Sequence, residues 1–83
     1  MMPKIVSPET LGAALRAERK RRGLSQAAVG KSVGIDQPTI SKIEKGSTGT
    51  ELGTLFRLLA ALDLELAIQP RNAAVGNSEG DSW

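Results

Sequence analysis

Apolar positions along the chain fall into four groups with helical spacing and one with strand spacing. The first group, Leu11, Ala14 and Leu15 with Glu18 behind them, follows Ser7-Pro8, a capping residue with proline at the first helical position, and stops at Gly23. Ahead of it, Lys4-Ile5-Val6 is a short apolar lead-in. In the second group Ala28 and Val29 recur toward Val33, with Ser25 placed to cap. The third holds Ile40 and Ile43, three apart, and begins at Asp36 or Gln37 with Pro38 in its opening turn. Both are short helices with one narrow apolar stripe, and Val33-Gly34-Ile35 is the turn between them. The fourth group, Leu52, Leu55, Phe56, Leu58, Leu59 and Leu62, follows Thr50 as cap and Glu51 in the first turn. It covers more than one helix face, so it either leaves surface for a dimer interface or completes a small four-helix core.

The period then changes. Leu64, Leu66 and Ile68 alternate with Glu65, Ala67 and Gln69 until Pro70, which is the pattern of a strand. A lone strand inside a helical domain has no ladder partner, whereas the same strand of a second chain supplies one. The expected fold is therefore all-α with one short C-terminal strand, four to five helices, and a homodimer closed by an intermolecular two-stranded β-sheet. Residues 1–69 are expected to form this helical, dimerising domain. Residues 70–83, rich in Asn, Gly, Ser and acids, have too little apolar content to fold and form a disordered tail.

Two short helices joined by a tight turn are a helix-turn-helix, and the second helix carries the chemistry. Its outward residues are Gln37, Pro38, Thr39, Ser41, Lys42 and Lys45, a polar, basic face suited to the major groove. Gln37 is the foremost base reader, because an amide at the helix start matches the N6 and N7 pattern of adenine. Pro38 offers apolar contact to a thymine methyl, and Ser41 and Lys42 complete the base-reading set. Thr39, Lys45 and Ser47 are placed for phosphates, as is Gln26, whose amide stands beside the free N–H groups opening its helix. The cations Arg16, Arg19, Lys20, Arg21 and Arg22 crowd the end of the first helix. They read either as a solvated face favoured by the helix dipole or as phosphate contacts, with Arg19 and Arg22 the candidates. Glu44 is different: DNA would repel a carboxylate there, so it must point away.

Charge and composition sharpen this picture. Residues 1–50 hold nine Lys/Arg and four Asp/Glu, net +5, while residues 51–83 hold two and five, net −3. One end suits nucleic acid and the other does not. The chain has no Cys and no His, which removes disulfides, thiol and imidazole catalysis and the usual zinc ligands. No catalytic residue, metal site or cofactor is expected. No apolar run approaches bilayer length and Met1 to Thr10 lacks a signal-peptide core, so a cytoplasmic protein without membrane or small-molecule partner is the default.

The run RGLSQAAVGKSVGIDQPTISKIEKG resembles the phage-repressor-like (Cro/C1, or XRE) helix-turn-helix family. That family shows G-[LW]-[ST]-Q, a small residue, a turn glycine and then I-S-x-x-E-x-G. The resemblance covers Leu11 to Leu62 and implies a lambda-repressor-like domain. It also implies that Glu44 pairs with Arg19 on the first helix as a structural brace, and that Gln26 touches the DNA backbone while bracing the reading helix.

A second resemblance spans nearly the whole chain. The lead-in similar to K-I-x-S-P-x-x-L, the strand, and the terminal Trp83 look like the HipB-type antitoxin family. What it implies is a dimeric repressor of its own operon, bound to palindromic double-stranded operator DNA and partnered with a HipA-type serine/threonine kinase toxin. Trp83 at the end of a polar tail is a large amphipathic ring with no structural gain. It is either an anchor docking the toxin or a chance residue. A stand-alone dimeric XRE-family regulator with no toxin is the alternative function.

Overall fold

The first three helices begin where their capping side chains stand. α1 spans Pro8–Arg21, and the Ser7 hydroxyl before it accepts from the Thr10 amide at 3.1 Å. Thr10 returns the favour, its hydroxyl oxygen accepting from the Ser7 amide at 3.0 Å, so two orphan donors are satisfied reciprocally. α2 spans Gln26–Val33 with Ser25 accepting from the Ala28 amide, and α3 spans Gln37–Glu44. Asp36, not Gln37, caps α3, taking the Thr39 amide at 3.1 Å. α4 spans Leu52–Ala61 and departs from expectation: its cap is Glu51, with no side-chain hydrogen bond. The ladder starts from the Glu51 carbonyl, which accepts from Leu55, so Thr50 stands one residue too early to cap it. The computed structural model describes residues 3–71, and within them these four helices make a four-helix all-α domain.

All four helices also end alike. Gly23, Gly34, Gly46 and Asp63 have φ of 71°, 73°, 92° and 57°. In each case the next amide reaches back five residues: Leu24 to the Arg19 carbonyl, Ile35 to Gly30, Ser47 to Lys42 and Leu64 to Leu59. This left-handed closure satisfies the last carbonyls and reverses the chain within two residues. Glycine adopts that conformation without steric cost; Asp63 is the one non-glycine to do so among the described residues.

In the single chain the alternating run after α4 is not paired as a strand. Leu64, the first apolar residue of the alternating run, is spent on the helix end and packs against the core. Residues 64–70 then run without regular secondary structure, since one chain offers no ladder partner. Leu66 and Ile68 are exposed, Ile68 fully so. Trp83 and the rest of the tail lie outside the described residues.

The core is Leu15, Val29, Ile35, Ile40, Ile43, Leu55, Leu58, Leu59 and Leu62, drawn from every helix and the α2–α3 turn. Ala28 is exposed, so α2 buries only Val29 of the pair expected to face inward. Along α4 the surplus of apolar positions divides in two. Leu55, Leu58, Leu59 and Leu62 complete the core, while Leu52 and Phe56, four residues apart on the same face, remain 69% and 52% exposed.

Two further contacts set the angle between helices. Gly12 lies where α1 crosses the end of α3, and a Cβ there would fall 2.5 Å from the Ile43 carbonyl oxygen, so only glycine permits the approach. Arg57 of α4 donates to the Val33 carbonyl at 3.1 Å, tying α4 to the open end of α2. Across the α1–α3 crossing, Arg19 Nε and Nη2 donate to the two Glu44 carboxylate oxygens at 2.6 and 3.1 Å, both side chains being buried. Arg19 Nη1 donates to the Leu24 carbonyl at 2.7 Å.

Removing one partner of such a pair strands a buried charge. Arg19→Met or Glu44→Leu alone should each cost about 3–5 kcal/mol, and the double substitution far less than their sum. Denaturant unfolding of the four species measures this; additive costs would count against a coupled pair. Burial by itself would raise the Glu44 pKa, but hydrogen bonds from Arg19 and Gln26 outweigh it and hold the group below its ordinary 4.5. A carboxylate with a folded pKa below its unfolded one contributes stability above the unfolded value and loses it as pH falls through the folded value. Stability should therefore decline as pH drops below about 4.5, and the double variant should lose part of that dependence.

Candidate nucleic-acid interface

α2, the Gly34 turn and α3 present one continuous surface. On α3, Gln37, Pro38 and Lys42 are exposed, Thr39 and Ser41 half-buried, and Ile40, Ile43 and Glu44 buried. This division follows from the cap and the stripe: Asp36 fixes where the helix begins, and Ile40 and Ile43 fix which side faces in. The N-cap hydrogen bonds from Thr39 also hold the Asp36 carboxyl below its usual range. Lys45 is exposed and Ser47 half-buried just past the end of α3, with the Ser47 amide fastened to the Lys42 carbonyl.

Behind this face runs a chain of side chains joining three helices. Glu44, held by Arg19 from below, accepts at Oε1 from Gln26 Nε2 at 3.0 Å. Gln26 Oε1 in turn accepts from Gln37 Nε2 at 2.6 Å. The structure thus joins the Arg19–Glu44 pair implied by the family resemblance to Gln26 and, through it, to Gln37 in one connected chain. Gln37 keeps one N–H and its carbonyl oxygen for a ligand, and Gln26 keeps one N–H.

The basic end of α1 is arranged differently from expectation. Arg19 points inside and three of its donors are taken by Glu44 and Leu24, so it is withdrawn from the phosphate set. Arg21 and Arg22 both pair with Glu18, Arg22 Nε at 2.7 Å from Oε2. Hydrogen bonds from these two arginines lower the Glu18 pKa to about 2. In the sequence Glu18 stands out only by its (i, i+3) and (i, i+4) spacing to Arg21 and Arg22, which is the signal for these pairs. Arg22 keeps free guanidinium donors and a side chain about one-third exposed. Arg16, Lys20, Lys31, Lys42 and Lys45 have no ion-pair partner among the described residues. Nor do those residues include a cluster of three acids able to hold a metal ion, or a helix long and apolar enough to cross a membrane.

A helix-turn-helix family model, HTH_3, matches residues 15–69. Antitoxin HipB of Escherichia coli K12 is 35% identical over 77 residues, covering 92% of this chain and 88% of that protein. An uncharacterized HTH-type transcriptional regulator of Haemophilus influenzae is 43% identical over 56 residues, covering 68% of this chain and 57% of the regulator. Among solved structures, a HipA-HipB-O2-O3 complex contains a chain that superposes with a TM-score of 0.79 at 34% identity, covering 84% of this chain and 99% of that one. The match spans the packed helices and the helix-turn-helix together, and on it the chain belongs to the XRE-type helix-turn-helix family, with the HipB antitoxins among its homologues.

Proposed function

We propose that this protein is a sequence-specific DNA-binding repressor that serves as the antitoxin of a HipA-type serine/threonine kinase and represses its own operon. The observation that carries the reading is the exposed polar face of α3, backed by the side-chain chain from Arg19 to Gln37. A helix so braced meets a groove without first paying to order its reading residues. Gln37, Pro38, Ser41 and Lys42 face base edges. Gln26, Thr39, Lys45, Ser47 and Arg22 take phosphates, which set register and affinity but carry no sequence. Arg19 and Glu44 hold the helix in place and touch no DNA.

The dimer forms through the apolar surface the monomer leaves open: Leu52 and Phe56 on α4, with Leu66 and Ile68 after it. Residues 65–69 pair with their copies as a two-stranded sheet, which supplies the ladder one chain lacks, while Leu64 covers the core. Two-fold symmetry then places two reading helices about 34 Å apart, matching a palindromic operator. Residues 1–69 do this work, and 70–83 form the tail whose Trp83 docks the kinase. HipB stands in one assembly with HipA in the similar solved complex, which supports the partnership. A cytoplasmic location follows from operator binding. Likeness to the Haemophilus regulator favours a second reading, a dimeric regulator without a toxin.

Gln37→Ala with Lys42→Ala should abolish operator binding, measured by gel shift or fluorescence anisotropy, while capture of the kinase persists. Deleting residues 72–83 should do the reverse, and loss of both activities in either variant would refute the division. Affinity should fall steeply with salt as phosphate neutralisation releases counterions, and a flat dependence would argue against DNA as ligand. Phe56→Glu with Ile68→Glu should shift sedimentation from dimer to monomer and weaken operator binding, because both place charge in the apolar contact; an unchanged dimer would move the interface elsewhere.

A further inference from the structure

Glu18 stands where a carboxylate does little for the fold. It lies in the last turn of α1, the end at which the helix dipole disfavours negative charge, and its partners are exposed arginines, whose ion pairs contribute little to folding. Yet both of its oxygens are engaged. Arg21 sets its fork on them, Nε donating to Oε1 at 3.1 Å and Nη2 to Oε2, and Arg22 Nε donates to Oε2 at 2.7 Å. A guanidinium engages a phosphate with the same fork, so the carboxylate occupies the seat a phosphate would take. Arg22 ends α1 at the left-handed Gly23 turn, directly before Ser25 and Gln26 open α2. The two arginines therefore border the end of α2 assigned above to phosphate.

We infer that Glu18 competes with the DNA backbone for Arg21 and Arg22, and so limits the strength of sequence-independent binding. The inference rests on the DNA-binding role proposed above. With Glu18 the three side chains carry a net charge of +1, where the two arginines alone would carry +2. A phosphate approaching either guanidinium meets the carboxylate beside it, and repulsion from the one offsets part of the attraction of the other. Phosphate contacts carry no sequence information, so the restraint falls equally on operator and unrelated DNA. More of the protein then stays free of the large excess of unrelated sites, while the base contacts of α3 are untouched. An exposed ion pair is weak enough for DNA to displace, so Glu18 tempers the two arginines without removing them. It touches no DNA itself and is a positioning residue that acts through Arg21 and Arg22.

The test is Glu18→Gln, which keeps shape and helix propensity and removes the charge, beside the double variant Arg21→Gln with Arg22→Gln and the triple variant. Full-length chains are titrated by fluorescence anisotropy against two duplexes, an operator enriched from a randomised library by the wild type and a scrambled duplex of equal length, from about 50 to 200 mM salt. Glu18→Gln should bind both about threefold to tenfold more tightly, with the operator-to-scrambled ratio unchanged and the plot of log affinity against log salt steeper by about one. Adding Glu18→Gln to the double variant should give little of that gain. An equal gain there would reflect net charge alone and overturn the inference. Unchanged binding by Glu18→Gln would overturn it too, and so would weaker binding, which would show that Glu18 holds Arg22 in place for a phosphate. A wild type that enriches no duplex, or whose affinity is flat in salt, would instead refute the DNA-binding role itself. In the free protein, NMR should find the Arg21 and Arg22 Nε–H protons slow to exchange in the wild type and fast in Glu18→Gln; fast exchange in the wild type would remove the pairing from which the inference starts.

Discussion

The buried pair between Arg19 and Glu44 is the constraint on which this small domain turns. Two charges removed from water at the crossing of α1 and α3 are tolerable only because two guanidinium donors meet both carboxylate oxygens, and because Leu24 takes a third donor. The geometry requires the two helices to approach closely, which Gly12 permits, and it leaves one rotation of α3 about its axis. That rotation puts Ile40 and Ile43 inside and Gln37, Pro38 and Lys42 outside. The same carboxylate also receives Gln26, so one buried charge positions both helices of the helix-turn-helix.

Such dependence suits a domain with so few buried residues. A chain of 83 residues has little apolar volume with which to specify helix orientation, and near-equivalent packings of short helices compete. A bidentate ion pair rejects most of them, since any slip strands a charge. The four left-handed helix closures act in the same sense, replacing flexible connections by turns of fixed geometry. Stability and recognition thus share their parts: what holds α3 down also sets the groups it presents.

Electrostatics on the outer surface is more economical than the count of cations suggests. Of the basic residues ending α1, one is inside and two share Glu18, so the positive field toward a polyanion comes chiefly from Arg16, Lys20, Lys31, Lys42 and Lys45. Opposite in character are Leu52 and Phe56 on α4 and Leu66 and Ile68 after it, apolar and uncovered in a single chain. A solvated helix gains nothing from displaying a phenylalanine, whereas a second chain would recover that area from water.

Much of this was legible in the order of residues. Ser7-Pro8, Ser25 and the Asp36-Gln37-Pro38 start, together with the glycines at 23, 34 and 46, mark the first three helices because caps and turns are local chemistry, decided within four or five residues. The apolar stripes named nearly the whole core for the same reason, and the polar face of α3 followed by subtraction. Thr50 misled because a cap depends on which carbonyl opens the ladder, a matter of one residue that packing settles. The alternating run after Asp63 could not form a strand alone, since a ladder is a property of two segments and its first leucine was taken by the end of α4. Arg19 carries two readings in the sequence, phosphate contact and brace to Glu44, and the crossing of α1 and α3 decides for the brace by burying it. Local hydrogen bonding and periodicity are written along the chain; which way Glu44 faces, and hence how Gln26 and Gln37 are joined to it, arises from residues up to twenty-five positions apart meeting in space, and that was decided by the tertiary structure.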